Sequence, residues 1–220
     1  MLREPVILRH PLAESCLRVL RSRETKSSEF RRALFRLGVL LAVKAAEGLN
    51  VVRETVITPL GVRALSCSVV EERLLLVPIL RAGLGFVEAF LTLLPGAGVA
   101  HIGIARDEDT LKARSYLDAV PAAPDDFDHV FLLDPMLATG NSSVLALEMI
   151  TAKGYREEQV TLVCALAVEQ GINRVRKEFP GTQIVAASVD PGLNERAFIV
   201  PGLGDAGDRL FQAGNNVSGK

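Results

Sequence analysis

Residues 129–150, HVFLLDPMLATGNSSVLALEMI, hold the densest set of groups able to do chemistry. An apolar run ends at Asp134, a turn of small residues follows, and a helical pattern begins near Ser142. Such a junction aims unpaired backbone N–H groups and the positive end of a helix dipole at whatever fills the turn, which suits a phosphate monoester. Thr139, Ser142 and Ser143 can add hydroxyl donors. Asp134 suits a different partner, because a carboxylate at a strand end accepts hydrogen bonds from vicinal hydroxyls and would position a ribose. Pro135 confines Asp134 to extended backbone. On this pattern alone an ordinary strand-loop-helix junction with a polar cap fits equally well. No GxxxxGK[ST] occurs, which excludes a P-loop.

The elements that must carry these groups follow from periodicity. Phe30, Leu34, Leu37, Leu41 and Ala45 recur at helical spacing between Ser28 and Gly48, predicting an amphipathic helix. VVRETVIT and GVRALSCSVV alternate around Pro59 and Gly61, as in a β-hairpin or arm. From Arg73 onward short apolar runs alternate with helical stretches, predicting strands at Leu74–Pro78, Val99–Ala105, Val130–Leu133, Val160–Ala167 and Ile184–Val189. This alternation predicts an α/β fold: a central, mostly parallel sheet with helices on both faces and ligands at the carboxyl ends of its strands. Residues 190–211 carry six glycines and prolines without periodicity and read as surface loop. One domain is expected over residues 1–220, with its core at about 70–190, N-terminal helices and a β-arm at 1–70, and a small hood at 190–210.

Composition narrows the function classes. Of the 220 residues 49% are hydrophobic and 23% charged, with a net charge of -1 and no extended positive field, so duplex nucleic acid is not expected as the main partner. Cys16, Cys67 and Cys164 form no CxxC pair, which points away from a disulfide framework or zinc knuckle and toward a reducing cytoplasm. The N-terminus, MLREPVILRHP, has charge and proline where a signal peptide needs an apolar run, so export is not expected. Between Arg81 and Arg106, Glu88, Pro95 and five glycines would break a membrane span. No metal-ligand cluster is evident, and His10, His101 and His129 read as packing or surface residues, as do the cysteines.

The stretch DPMLATGNSS resembles the PRPP-binding motif of the type I phosphoribosyltransferases, in the Asp-Pro form of the uracil-specific branch. VPILRAGLG (77–85) resembles that branch's pyrophosphate-binding loop and IVPGLGDAGD (199–208) its uracil-recognition segment; HPL (10–12) and ARDEDTL (105–111) extend the match. The resemblance implies transfer of the 5-phosphoribosyl group of PRPP to N1 of uracil, giving UMP and pyrophosphate. It implies that Arg81 and Arg106 contact the pyrophosphate, and that Asp134, Pro135, Met136, Leu137, Ala138, Thr139, Gly140, Asn141 and Ser142 hold the ribose and its 5-phosphate. Uracil would be read by an extended main chain at Ile199, Gly204 and Ala206, where a side chain at Gly204 would obstruct it. Asp205 would lie beside both substrates and aid N1, so the implied catalytic residues are Asp205, Arg81 and Asp134. Mg2+ would arrive as Mg-PRPP, bound mainly through substrate oxygens. The resemblance also implies a homodimer or homotetramer through the arm, and GTP as an effector.

Three departures bear on this. Asn141 follows Gly140 where the family usually has a second glycine, although asparagine tolerates a left-handed backbone. Phe198 stands where a tyrosine is common. Residues 112–121 lack the prolines that usually stiffen the loop before Tyr116, which predicts a floppier lid. They motivate an alternative, a catalytically weak or inactive homologue that binds UMP or PRPP as a regulator. A purine or orotate transferase is disfavoured by Pro135 and the C-terminal segment.

Overall fold

The computed structural model describes residues 2–106, 113–122 and 124–211. A short strand, β1 (Val6–Ile7), leads into helices α1 (Pro11–Arg21) and α2 (Ser27–Ala46), then a hairpin of β2 (Val52–Ile57) and β3 (Arg63–Ser68). Next come β4 (Leu74–Leu80), α3 (Leu84–Leu93), β5 (Gly98–Val99), β6 (Ile102–Arg106), β7 (Ala113–Asp118), β8 (His129–Leu133), β9 (Met136–Leu137) and α4 (Asn141–Ala152). The chain ends with β10 (Val160–Val168), α5 (Glu169–Glu178), β11 (Gln183–Asp190), β12 (Gly192–Leu193), β13 (Ile199–Val200) and α6 (Ala206–Phe211).

One nine-stranded sheet runs β1-β11-β10-β8-β4-β6-β7, with β5 beside β4 and β9 beside β10. All its pairings are parallel except β6 with β7, as the alternating pattern predicts. Successive strand side chains point to opposite faces, so strands apolar throughout must be covered twice. In β4, Leu74 and Leu76 join one core while Leu75, Val77 and Ile79 join the other; in β8, Phe131 and Leu133 oppose Val130 and Leu132. The first core is completed by α1, α2, α3 and α6, the second by α4 and α5. The helix expected from Ser28 is α2, whose Phe30, Leu34, Leu37 and Leu41 are fully buried, each worth roughly 1.5–3 kcal/mol over exposure.

The remaining expectations need adjustment. The run at 99–105 is interrupted: β5 and β6 pair with β4 in one register, Leu75 with Gly98 and Ile79 with Ile102, while the Ala100 N–H bonds to the Leu76 carbonyl at 2.9 Å. Most of the expected lid is a strand, because β7 pairs antiparallel along the open edge of β6. Its Tyr116 ring covers Gly103, where a Cβ would come within 2.6 Å of Tyr116 Cζ. Residues 206–211, expected as loop, form α6, since Asp205 caps the helix and Ala206 and Leu210, one turn apart, are buried in the core.

Candidate active site

A cleft of about 470 Å3 opens at the carboxyl ends of the parallel strands. One side is the turn between β9 and α4, expected to hold phosphate, where Ala138, Thr139, Gly140, Asn141 and Ser142 line the cleft. Gly140, the N-cap of α4, has φ 81° and no capping side chain, so among the described residues the Ser142 and Ser143 amides at the helix head have no protein partner, and both residues line the cleft. The left-handed position is thus Gly140; Asn141 is the first helical residue and is not asked to adopt it. The Asn141 N–H donates to Thr139 Oγ1 at 3.4 Å.

Asp134 leaves β8 at the cleft floor. The chain bends there because Pro135 has no N–H for the ladder, while its carbonyl accepts the Ala165 and Leu166 N–H groups, each at 3.0 Å. The Asp134 carboxylate accepts hydrogen bonds from the Met136 N–H at 3.4 Å and Ser143 Oγ at 3.3 Å. Ser143 is fully buried and spends its hydroxyl on Asp134, which corrects the expectation that it donates to phosphate. Burial pushes the Asp134 carboxyl up to about 6, against the opposing pull of those two hydrogen bonds. Behind it, burial and the Asp134 charge raise the Cys164 thiol well above its ordinary value. Met136 lines the cleft, whereas Pro135 and Leu137 are buried and do not.

Arg81 follows β4 and also lines the cleft; its Nη2 donates to Asp208 Oδ1 at 2.9 Å, with both side chains about half exposed. The Leu80–Arg81 and Val200–Pro201 peptide bonds are cis. Arg106 ends β6 opposite Ala113, but its side chain and residues 107–112 lie outside the described residues. Ala82, Tyr116 and Gly207 also line the cleft without having been singled out for it.

An adjoining hollow of about 330 Å3 is lined by Ile199, Gly204, Asp205 and Ala206, with Arg196, Ala197 and Phe198 on its outer wall. Ala82, Met136, Ala138, Asp205 and Gly207 border both spaces, so the expected phosphate and base segments meet. Asp205 Oδ1 accepts the Asp208 N–H at 2.8 Å as the cap of α6, a duty signalled by an acid at the cap and another three residues on. The segment expected to read the base is not extended throughout, because it turns after Val200 and Gly204 has φ 79°. A Cβ at Gly204 would meet only Arg209 Cδ at 3.7 Å among protein atoms, so backbone conformation rather than protein crowding calls for glycine here.

Among the described residues no group of three or more His, Cys, Asp or Glu gathers that could hold a metal by itself. The carboxylates of Asp134 and Asp205 on the cleft wall are hard oxygen donors that fit a magnesium ion keeping phosphate oxygens among its ligands. His129 sits at the opposite end of β8, 2.9 Å from Thr161 Oγ1 through Nε2. Burial, helped by the Arg3 charge, pushes it down to about 4, so it stays neutral. His10 caps α1 by accepting the Leu12 N–H.

A family model described as "Uracil phosphoribosyltransferase" matches residues 7–213. The uracil phosphoribosyltransferase of Lactococcus lactis subsp. lactis is 40% identical over 205 residues, which cover 93% of this chain and 96% of the relative. That of Symbiobacterium thermophilum is 42% identical over 206 residues, covering 94% and 97%. The structure of the AQ2163 protein from Aquifex aeolicus superposes with a TM-score of 0.87 at 35% identity, covering 96% of this chain and 100% of that one. The chain belongs to the uracil phosphoribosyltransferase family.

Proposed function

We propose that this cleft transfers the 5-phosphoribosyl group of PRPP to N1 of uracil, releasing pyrophosphate and leaving UMP. The observation that carries the reading is the continuity of the two spaces, with the Ser142 and Ser143 amides and Asp134 bordering one, Gly204 and Ala206 bordering the other, and Asp205 bordering both. The α4 amides and Thr139 hold the 5-phosphate, and Asp134 accepts the ribose hydroxyls. Arg81 exchanges Asp208 for the pyrophosphate, and Arg106 approaches it from β6. As the C1–N1 bond forms and the C1–O bond breaks, these cations take up charge on the leaving group while carboxylates favour the oxocarbenium-like sugar. Asp205 draws the N1 proton through the oxygen not used to cap α6. Magnesium, carried by PRPP and bound mainly through its oxygens, would neutralise phosphate charge, with Asp134 as its protein-side oxygen donor.

Purified protein should release pyrophosphate only when uracil, PRPP and Mg2+ are all present. Arg81→Ala and Asp205→Asn should each lower turnover by about 100-fold or more. No uracil-dependent release from wild type overturns the function, and wild-type rates in both variants overturn the site assignment.

The working unit in this reading is one domain, a sheet core at about 70–190 with an N-terminal arm and a C-terminal hood. We further propose a homodimer or homotetramer built through the β2–β3 arm, supported by its exposed Val56, Ile57, Leu60 and Leu65. The three free cysteines suit a reducing cytoplasm. No helix among the described residues is long and apolar enough to cross a membrane. GTP as an effector rests on the family resemblance.

A further inference from the structure

The turn that presents Gly204 makes few bonds of its own. From Pro201 to Gly204 no backbone group pairs with another backbone group among the described residues. Side chains from the two ends of the chain hold it instead. Arg21, the last residue of α1, grips both carboxylate oxygens of Asp190, at 2.7 and 2.6 Å, and donates to the Gly202 carbonyl at 2.9 Å. The Gly202 N–H donates to the same Asp190 at 2.9 Å. From the other side Arg209 of α6 donates to the Leu203 carbonyl at 2.8 Å, the Ser22 carbonyl at 2.7 Å and the Leu20 carbonyl, with its guanidinium 4.3 Å over the Phe30 ring. Asp190 is 5% exposed. Burial opposes its charge, but hydrogen bonds from Arg21 and the Gly202 N–H outweigh this and hold the carboxyl below its usual range.

We infer that Arg21 and Arg209 are positioning residues that set the geometry in which the Gly204–Ala206 backbone reads the base. The inference rests on assigning that hollow to uracil. Neither arginine lines either substrate space, so both act through the turn. Tying the carbonyls of two successive residues, Gly202 and Leu203, fixes the peptide planes that lead into Gly204. Among the described residues Gly204 itself makes no hydrogen bond, and the Ala206 N–H at the head of α6 has no helical partner, so these groups remain for a ligand. Donors on a glycine-bearing turn recognise a planar base only when held to within about 0.5 Å, and charge-assisted bonds from guanidinium forks supply that constraint. Both clamps are rooted at the C-terminal end of α1, one in Arg21 itself and the other on the Leu20 and Ser22 carbonyls, which makes this N-terminal helix part of base recognition.

Steady-state kinetics on the full chain test this with Arg21→Lys, Arg209→Met, which keeps a stem over Phe30, Arg209→Lys, which restores one donor, and Arg73→Lys. The last weakens a comparable fork to Asp128 at the far end of the sheet. Arg21→Lys and Arg209→Met should raise KM for uracil about tenfold or more while KM for PRPP stays within about twofold. Arg209→Lys should recover part of that loss, and Arg73→Lys should move neither constant. Parallel rises in both KM values, or a fall in kcat alone, overturn the inference while leaving the base-site reading intact. A wild type without uracil-dependent turnover defeats that reading and the inference together. Should Arg209→Met fail to fold, Arg21→Lys decides by the same KM split, with faster amide exchange at residues 202–206 as the second expected readout; unchanged exchange and KM overturn the proposal.

Discussion

At Asp134 stability and chemistry pull in opposite directions. The sugar hydroxyls it is proposed to bind need an ionised acceptor, yet burial pushes its carboxyl up to about 6. Because the folded-state value lies above the ordinary 3.8, the folded protein holds this proton more tightly than the unfolded chain. The resulting stabilisation is fully present below 3.8 and is lost as pH rises through about 6. KM for PRPP should therefore climb as pH falls through about 6, and Asp134→Asn should raise that constant and flatten the limb. The same substitution removes a partly buried charge, keeps one oxygen for the Met136 N–H and turns an amide NH2 toward Ser143 Oγ, which can accept from it. Asp134→Asn should then melt a few degrees higher than wild type at about pH 8, with the gain shrinking as pH falls through about 6. Thermal melts and a pH–KM profile check both halves; a pH-independent KM in wild type contradicts the role given to the carboxylate. The neighbouring departure at Asn141 is absorbed by the fold, since Gly140 alone takes the left-handed conformation.

Helix packing fixes how close the site's supports can approach. Gly38 lies on the buried face of α2, where a Cβ would come within 2.8 Å of Ala89 Cβ and 3.0 Å of Phe86 Cδ1 on α3. Gly38→Leu should cost about 1–3 kcal/mol or more in chemical denaturation, whereas Gly48→Ala, with nothing within 4 Å, should stay within about 0.5 kcal/mol of wild type. Elements of this kind were readable in the sequence because burial writes itself into composition. Strands covered on both faces are almost entirely apolar, and α2 repeats its apolar residues once per turn. By contrast β7, ARSYLD, is largely exposed and carries no apolar pattern, and α6 has only six residues and is signalled by its cap alone. The turn proposed to hold phosphate was legible because strand, small residues and helix are consecutive. Arg21, Asp190 and Arg209 were not, since they converge on one turn from distant positions, Arg21 and Asp190 being 169 residues apart.

On the scale of the whole molecule, the hairpin of β2 and β3 packs, among the described residues, chiefly strand on strand, with no other element laid extensively against it. All six residues of β2 are exposed, and Ile57, Leu60, Val62 and Leu65 are 64%, 88%, 62% and 91% accessible. An isolated two-stranded hairpin is marginal in water, and apolar side chains gathered on an exposed element mark a surface that is covered in use. A second copy of the chain is the occupant proposed above, which would make the arm's order depend on association. Light scattering on the wild type should then give a mass of two or four chains, and Leu60→Glu with Leu65→Glu should shift it toward the monomer, because each buried carboxylate would lack a partner. Association also stabilises by mass action, so the wild-type melting temperature should rise with protein concentration and that of the double variant should not. A wild type that is monomeric at high concentration, with a concentration-independent melt, would separate the arm from assembly and leave its exposed leucines to some other role.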